Sequence, residues 1–437
     1  MSPLDKAKLV ADALPEGGLF HEKSWRISPE SFPISEAFAE ELDHLGYRLV
    51  RFQQACNQLY YLSAKGKQPG WIADLLDRGK PQELIEFARN PKFRNDVPRV
   101  IRPDVILTDD GYILAELDSV PGGIGLTAWL ASVYAGMGED LLGGESGMLK
   151  GFASVFPEGD IVVSDEAATY RPEMQWLVAK LNAMKNSPDR WRVTDASART
   201  DFAAQVYRFF ELFDLANVPC ANALMVGAAA GNVHVTAPFK PWMEEKMWFA
   251  LFCLKPLEAF WRAELSERVF LALRKVIPYT WLVDPTPLPM HAVLPRIDAH
   301  SWDDVAARSQ KQRDFVLKVS GFHETAWGSR GVVMAADVPQ SEWRDALRDA
   351  LDSFGTHPHI LQEFHKGRLI EHPWWNGDAD GLVTMKGRVR LCPYYFPDGD
   401  RVKCAGALAT ICPADKKLLH GMQDAILVPT AVRPRPD

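Results

Sequence analysis

Cysteine is scarce and unpatterned in this sequence. The six cysteines among 437 residues stand at 56, 220, 253, 392, 404 and 412, with no CxxC pair and no metal-ligand spacing. This excludes a disulfide framework and a structural zinc site; they read as free thiols of a reducing compartment, one of which could be reactive. Long apolar runs are missing as well. The most apolar window, Trp248 to Leu254, is far too short to span a bilayer. The first thirty residues carry charge throughout (Asp5, Lys6, Lys8, Asp12, Glu16) and have no apolar stretch of signal-peptide length, so a cytoplasmic protein without a membrane partner is expected. There is no basic excess: 49 Lys and Arg face 57 Asp and Glu, net −8, which removes the electrostatic basis for a nucleic-acid partner. No HExxH or GxSxG occurs, and even where His357, His359, His365 and His372 crowd, no metal motif forms. What remains is a globular composition, 47% hydrophobic and 24% charged, in a chain long enough for two or three domains.

Texture changes along the chain. Residues 1–97 read as mostly helical: Pro33–Ser63 carries apolar residues at helical spacing (Phe38, Leu42, Leu45, Leu49, Phe52, Leu59), and Trp71–Leu76 and Leu84–Ala88 are short helices. Residues 98–200 open with two β-rich runs, Arg99–Thr108 and Tyr112–Asp118, joined by Asp109-Asp110-Gly111, a strong hairpin signal. A glycine-rich turn, Pro121–Gly125, leads into the helical Leu126–Tyr134. A β-α-β pattern follows (Ile161–Ser164, Pro172–Met184, Trp191–Thr194), which supports a small α/β layer. Residues 201–437 alternate again. Val206–Phe213 reads as a strand, Pro241–Phe252 and Leu257–Lys275 as helices, Phe315–Val319 as a strand, Ser341–Ser353 as a helix and His359–Phe364 as a strand. The C-terminal part is β-rich over Gly381–Phe396, Ala405–Ile411 and Ala425–Val428. The fold class is α+β.

Three constellations could carry chemistry. Alternation places Arg102 and Asp104 on one face of their strand, and Glu116 and Asp118 on one face of the next; the turn folds the two together. Three hard oxygen ligands on a hairpin suit Mg²⁺, while the plainer reading is a solvated face with a cross-strand salt bridge. The adjoining glycine-rich turn tips the balance toward a site, because its backbone N–H groups can approach an anion. The second constellation is Phe315–Lys318, an apolar strand ending in a lysine, followed by Gly321, Glu324 and Gly328-Ser329-Arg330-Gly331. It suits a phosphate cover, or else a solvated strand end, and it is not a Walker A loop. The third, Ile360–Phe364, runs from apolar residues into Gln362-Glu363. It suits a nucleobase slot, or an ordinary strand reaching the surface. Trp302, Trp327, Trp374 and Trp375 either line a pocket or pack.

With these features in this order, the chain resembles the ATP-grasp superfamily, and within it the circularly permuted branch of glutathionylspermidine synthetases and eukaryotic glutathione synthetases. The Arg-x-Asp of that family is matched by Arg102-Pro103-Asp104, and its Glu-x-Asn by Glu116-Leu117-Asp118, with aspartate in place of asparagine. The resemblance implies Arg102 as the catalytic cation and Asp104, Glu116 and Asp118 as Mg²⁺ ligands. It also implies Lys246 and Lys318 on the ATP phosphates, Ser329 and Gly331 in the covering loop, and Gln362 and Glu363 at the adenine. Residues 201–437 would then form the nucleotide-binding region. Gly406–Thr410 offers no cation where glutathione-binding relatives place an arginine, so glutathione itself is not implied. The implied activity is ATP-dependent joining of a small-molecule carboxylate to an amine through an acyl phosphate, by a protein that could be a homodimer. The alternative is a catalytically silent ATP-binding regulatory or assembly protein.

Overall fold

The computed structural model describes residues 1–19, 24–187, 189–377, 381–399, 401–419 and 424–434. The chain forms two compact units. The first gathers residues 1–54, 91–239 and 367–437, and the second 55–90 and 240–366. These units do not follow the consecutive segments 1–97, 98–200 and 201–437. The reason lies in the large sheet of the first unit, which takes strands from the beginning, middle and end of the chain.

That sheet runs in the order Phe32–Ser35, Ile426–Arg433, Cys404–Pro413, Leu382–Tyr395, Arg102–Thr108, Gly111–Asp118, with Leu369–Trp375 also paired to Leu382–Tyr395. Phe32–Ser35 pairs parallel with Ile426–Arg433, and the other pairings are antiparallel. The helix Glu36–Ala64 keeps its periodic apolar residues Leu42, Leu45, Leu49, Phe52 and Leu59 fully buried. Gly46 lets it approach the sheet, since a Cβ there would lie 2.5 Å from the Tyr395 ring. The Tyr395 hydroxyl donates to Leu42 O at 2.7 Å. A second, all-parallel sheet is ordered Trp191–Asp195, Gly159–Val163, Gln205–Phe209, His234–Thr236. Its β-α-β unit uses the helix Arg171–Met184, as the alternation of patterns suggests.

In the second unit a four-stranded antiparallel sheet is ordered Val332–Met334, Phe315–Val319, His359–Glu363, Thr280–Leu282. Its core joins Trp281, Phe315, Leu317 and Leu361 of the sheet to Val305, Trp343, Leu347 and Ala350 of two helices, Trp302–Ala307 and Gln340–Asp352. The expected helix over Leu257–Lys275 is two helices, Glu258–Leu265 and Glu267–Val276, broken at Ser266, whose φ of 66° no helix accommodates. Pro241–Phe252 is likewise a 3₁₀ turn, Pro241–Glu244, followed by the helix Met247–Cys253. Among the described residues no helix is long and apolar enough to cross a membrane.

His372 ties the N-terminal segment to the sheet. Its ring is 3% exposed, and Nε2 lies 3.0 Å from Ser28 Oγ and 3.2 Å from Glu30 O. Burial, with Arg433 adding to it, lowers its pKa to about 4. A folded value below the unfolded one, about 6.5, contributes stability above the unfolded value and loses it as pH falls toward the folded one. Acid unfolding should therefore begin as pH drops below about 6.5 and continue to about 4. His372→Gln should flatten that part of a stability profile measured by urea titration; an unaltered slope in the variant would place the loss in other groups.

Candidate functional site

In the first unit, cross-strand register sets Arg102 opposite Asp118 and Asp104 opposite Glu116, so all four side chains share one face. A bulge between Asp104 and Val105 leaves Ala115 without an opposite residue. Alternation thus places the four expected residues together, and the face is not solvated. Arg102 Nη2 lies 3.0 Å from Asp118 Oδ2, its Nε 3.4 Å from Asp104 Oδ1, and its Nη1 donates to Gly122 O at 3.2 Å. A residue that sequence reasoning missed completes the arrangement: Arg390, whose Nη1 lies 2.9 Å from Asp104 Oδ2. Two residues along the same strand, the Cys392 thiol reaches Asp104 Oδ1 at 3.5 Å. Asp118 Oδ1 accepts from Val120 N at 2.9 Å.

Burial works against the Arg102 charge, yet Asp104 and Asp118 hold its pKa well above the ordinary value. Burial pushes the Asp118 carboxyl up, and Arg102 offsets this only in part. The Cys392 thiol is pushed up to about 12, by burial first and then by Asp104. All six cysteines are buried and all are shifted upward by burial, so no thiol is poised to react.

The glycine-rich turn is an anion site, but its anion is internal. Gly123 N donates to Glu173 Oε1 at 2.8 Å and Leu126 N to Oε2 at 3.0 Å, and Glu173 is fully buried. A carboxylate of the chain caps the helix Ile124–Gly136, where the sequence suggested an approach to a bound anion. The fit of the hairpin acids to the implied Mg²⁺ is poor for a similar reason. Both oxygens of Asp104 and both of Asp118 already have partners. Among the described residues no group of three or more His, Cys, Asp or Glu is arranged to hold a metal.

In the second unit, Lys318 is 7% exposed on the strand Phe315–Val319. Its Nζ donates to Gln362 Oε1 at 2.9 Å, and Gln362 Nε2 donates to Thr280 Oγ1 at 3.3 Å. Gln362 thus turns toward the lysine. The backbone N–H groups of Glu363 and Phe364 serve sheet neighbours, at Tyr279 O (2.9 Å) and Asp314 O (3.0 Å), rather than a base slot. The Glu363 carboxylate lies 3.1 Å from Arg296 Nη1; despite burial, His365 and Arg296 hold it below the ordinary glutamate range.

Ser320 is the junction of this half. It lies two residues beyond Lys318 and is fully buried. Its carbonyl accepts from Lys246 N at 2.9 Å, its Oγ accepts from Met247 N at 2.9 Å, and its hydroxyl donates to Glu245 Oε2. Glu245 in turn pairs at 2.5 Å with the buried Lys80. Lys246 Nζ donates to Ala326 O at 2.6 Å, inside the loop that follows Ser320. In that loop Gly328 and Ser329 both have positive φ, 64° and 61°, and Gly331 N donates to Thr325 O at 2.7 Å. A Cβ at Gly331 would meet that same oxygen at 2.7 Å, which is why glycine stands there. Trp302 packs, its Nε1 donating to Asp284 O, and Trp374 lies under the Arg26 guanidinium, 4.3 Å from its centre.

A seven-stranded mixed sheet with a parallel sheet in one unit, and a helix-covered antiparallel sheet in the other, define an α+β protein. In fold it is similar to an apo-form glutathione synthetase-like effector from Globodera pallida, with TM-score 0.55 and 11% identity, over 99% of this chain and 98% of the other. A weaker likeness, TM-score 0.42 and 10% identity, relates 89% of the chain to 90% of a candidate gamma-glutamylcysteine synthetase from Methylobacillus flagellatus KT. No family model matches the sequence, and no curated protein matches it.

Proposed function

We propose that the protein is an ATP-dependent carboxylate–amine ligase of the ATP-grasp kind, acting on small molecules. The observation that carries this reading is that Ser320, two residues beyond Lys318, accepts from the backbone N–H of Lys246, while Lys246 Nζ reaches Ala326 O in the glycine-containing loop that follows. A lysine on the strand that enters a glycine-containing loop, and a second lysine bonded to that loop, suit phosphoryl transfer, which is mostly positioning and charge neutralisation. In the reaction the γ-phosphoryl group passes from ATP to the substrate carboxylate, giving ADP and an acyl phosphate. The amine nitrogen then bonds to the acyl carbon, the carbon–oxygen bond to phosphate breaks, and the nitrogen loses a proton. Lys246 and Lys318 are assigned to offsetting phosphate charge. The shared fold with a glutathione synthetase-like protein supports this reading.

The second reading, a silent ATP-binding protein, is favoured by one feature, the engagement of both hairpin aspartates by guanidiniums. Phosphate release from ATP separates the two. A ligase releases one phosphate per amide formed, and only when a carboxylate and an amine are both supplied. ATP binding without turnover across an amino-acid and polyamine panel would leave the silent reading, and absence of ATP binding would remove both.

A further inference from the structure

The hairpin face contains its own counter-ions. Arg390, Asp104, Arg102 and Asp118 form a continuous chain of ion pairs with contacts of 2.9, 3.4 and 3.0 Å. The side chains are mostly buried, at 14%, 10%, 17% and 24% exposure. Asp104 gives Oδ2 to Arg390 and Oδ1 to Arg102 and the Cys392 thiol. Asp118 gives Oδ2 to Arg102 and Oδ1 to a backbone N–H. A divalent ion needs oxygen lone pairs at about 2.0–2.1 Å in near-octahedral array. Both aspartates already share their oxygens with a guanidinium, a thiol or a backbone N–H, and expelling a guanidinium to free them would leave it buried beside a double positive charge. Two guanidiniums against three carboxylates, Glu116 included, leave a single net negative charge on the face.

We infer that Arg390 stands where a resident cation would: the chain of ion pairs neutralises the hairpin from within and keeps free divalent ions off it. The inference rests on the hairpin geometry alone and does not need the ligase reading. Cys392 and Arg390 share one strand face, so the strand Leu382–Tyr395 presents the guanidinium at fixed depth on Asp104.

Mn²⁺ titration of the full chain without nucleotide, read by electron paramagnetic resonance of the free ion, tests this without any requirement for turnover. The wild type should show no site tighter than about 1 mM. Arg390→Met keeps the apolar stem and removes the charge, so it should gain a site at least about tenfold tighter, and adding Asp104→Asn should abolish the gain. Arg390→Lys, which retains a cation, should stay empty. A wild-type site below about 1 mM that Asp104→Asn removes would overturn the inference. So would a folded Arg390→Met, by circular dichroism, that binds Mn²⁺ no better than wild type. If Arg390→Met does not fold, the wild type and Asp104→Asn decide between them: an Asp104-dependent site refutes the inference, and no site in either protein supports it. Failure of the ligase reading would appear separately, as absent ATP turnover, and would leave these titrations unchanged.

Discussion

Lys318→Met should lower ATP-dependent turnover by about a hundredfold, roughly 2.7 kcal/mol of barrier, and weaken ATP binding with it. Lys318 is buried on a central part of the antiparallel sheet, where its ammonium donates to the side-chain oxygen of Gln362. A cation in such a site interacts strongly with phosphate oxygens because little water screens it. Methionine fills nearly the same volume and needs no polar partner. The variant should therefore keep its fold, losing the charged hydrogen bond to buried Gln362 at a cost of roughly 1.5–3 kcal/mol. Isothermal titration with ATP, alongside a thermal melt, separates the effects: a stable Lys318→Met protein with wild-type ATP affinity would move the nucleotide away from this strand. Lys246→Met should do less, because Lys246 is only half-buried and its Nζ already serves the Ala326 carbonyl.

Arg102→Met should destabilise the protein by about 3 kcal/mol. Removing one partner of a buried ion pair leaves uncompensated charge, and Arg102 serves two carboxylates at once. The loss should depend on pH. Asp118 has a folded pKa raised by burial, so its contribution is fully favourable below the ordinary aspartate value and is lost as pH rises through the raised one. Without Arg102 the carboxyl rises further. The deficit of Arg102→Met should accordingly be largest near neutral pH and shrink on acidification, as urea melts at several pH values would show. Asp118→Asn in the same background should recover part of it, by about 1 kcal/mol. A deficit that is the same at every pH would mean that lost packing of the arginine stem, and not charge, sets the cost.

The hairpin was readable because the signals that specify it are local: an Asp-Gly turn, alternation on both strands, and acids spaced by two. The helix Glu36–Ala64, the β-α-β unit and the strand bearing Lys318 were readable for the same reason. What escaped was set by partners distant in sequence. Phe32–Ser35 and Thr280–Leu282 are four and three residues long and become strands only because a neighbour offers an edge. Glu173 lies in the first turn of the helix Arg171–Met184, and its burial on the glycine-rich turn depends on a contact some fifty positions back. Arg390 had a signal in its alternation with Arg388 in Gly387–Leu391. The late-strand cation that the resemblance calls for falls at Gly406–Thr410, where no basic residue lies, and Arg390 stands opposite Thr410 on the neighbouring strand. Asp104 gave no indication that its second oxygen would be claimed from the C-terminal part of the chain.

The parallel pairing of Phe32–Ser35 with Thr430–Arg433 has a consequence for synthesis. Phe32–Ser35 finds its partner only at Thr430–Arg433, so the large sheet cannot close until that segment has been made. Residues 240–366, most of the second unit, emerge while the first unit still lacks four of its seven large-sheet strands. Until then, the exposed edges of the early strands are open to other chains. A nascent chain stalled near residue 425 should therefore be bound by chaperones and cut readily by protease within its first unit, while its second unit resists.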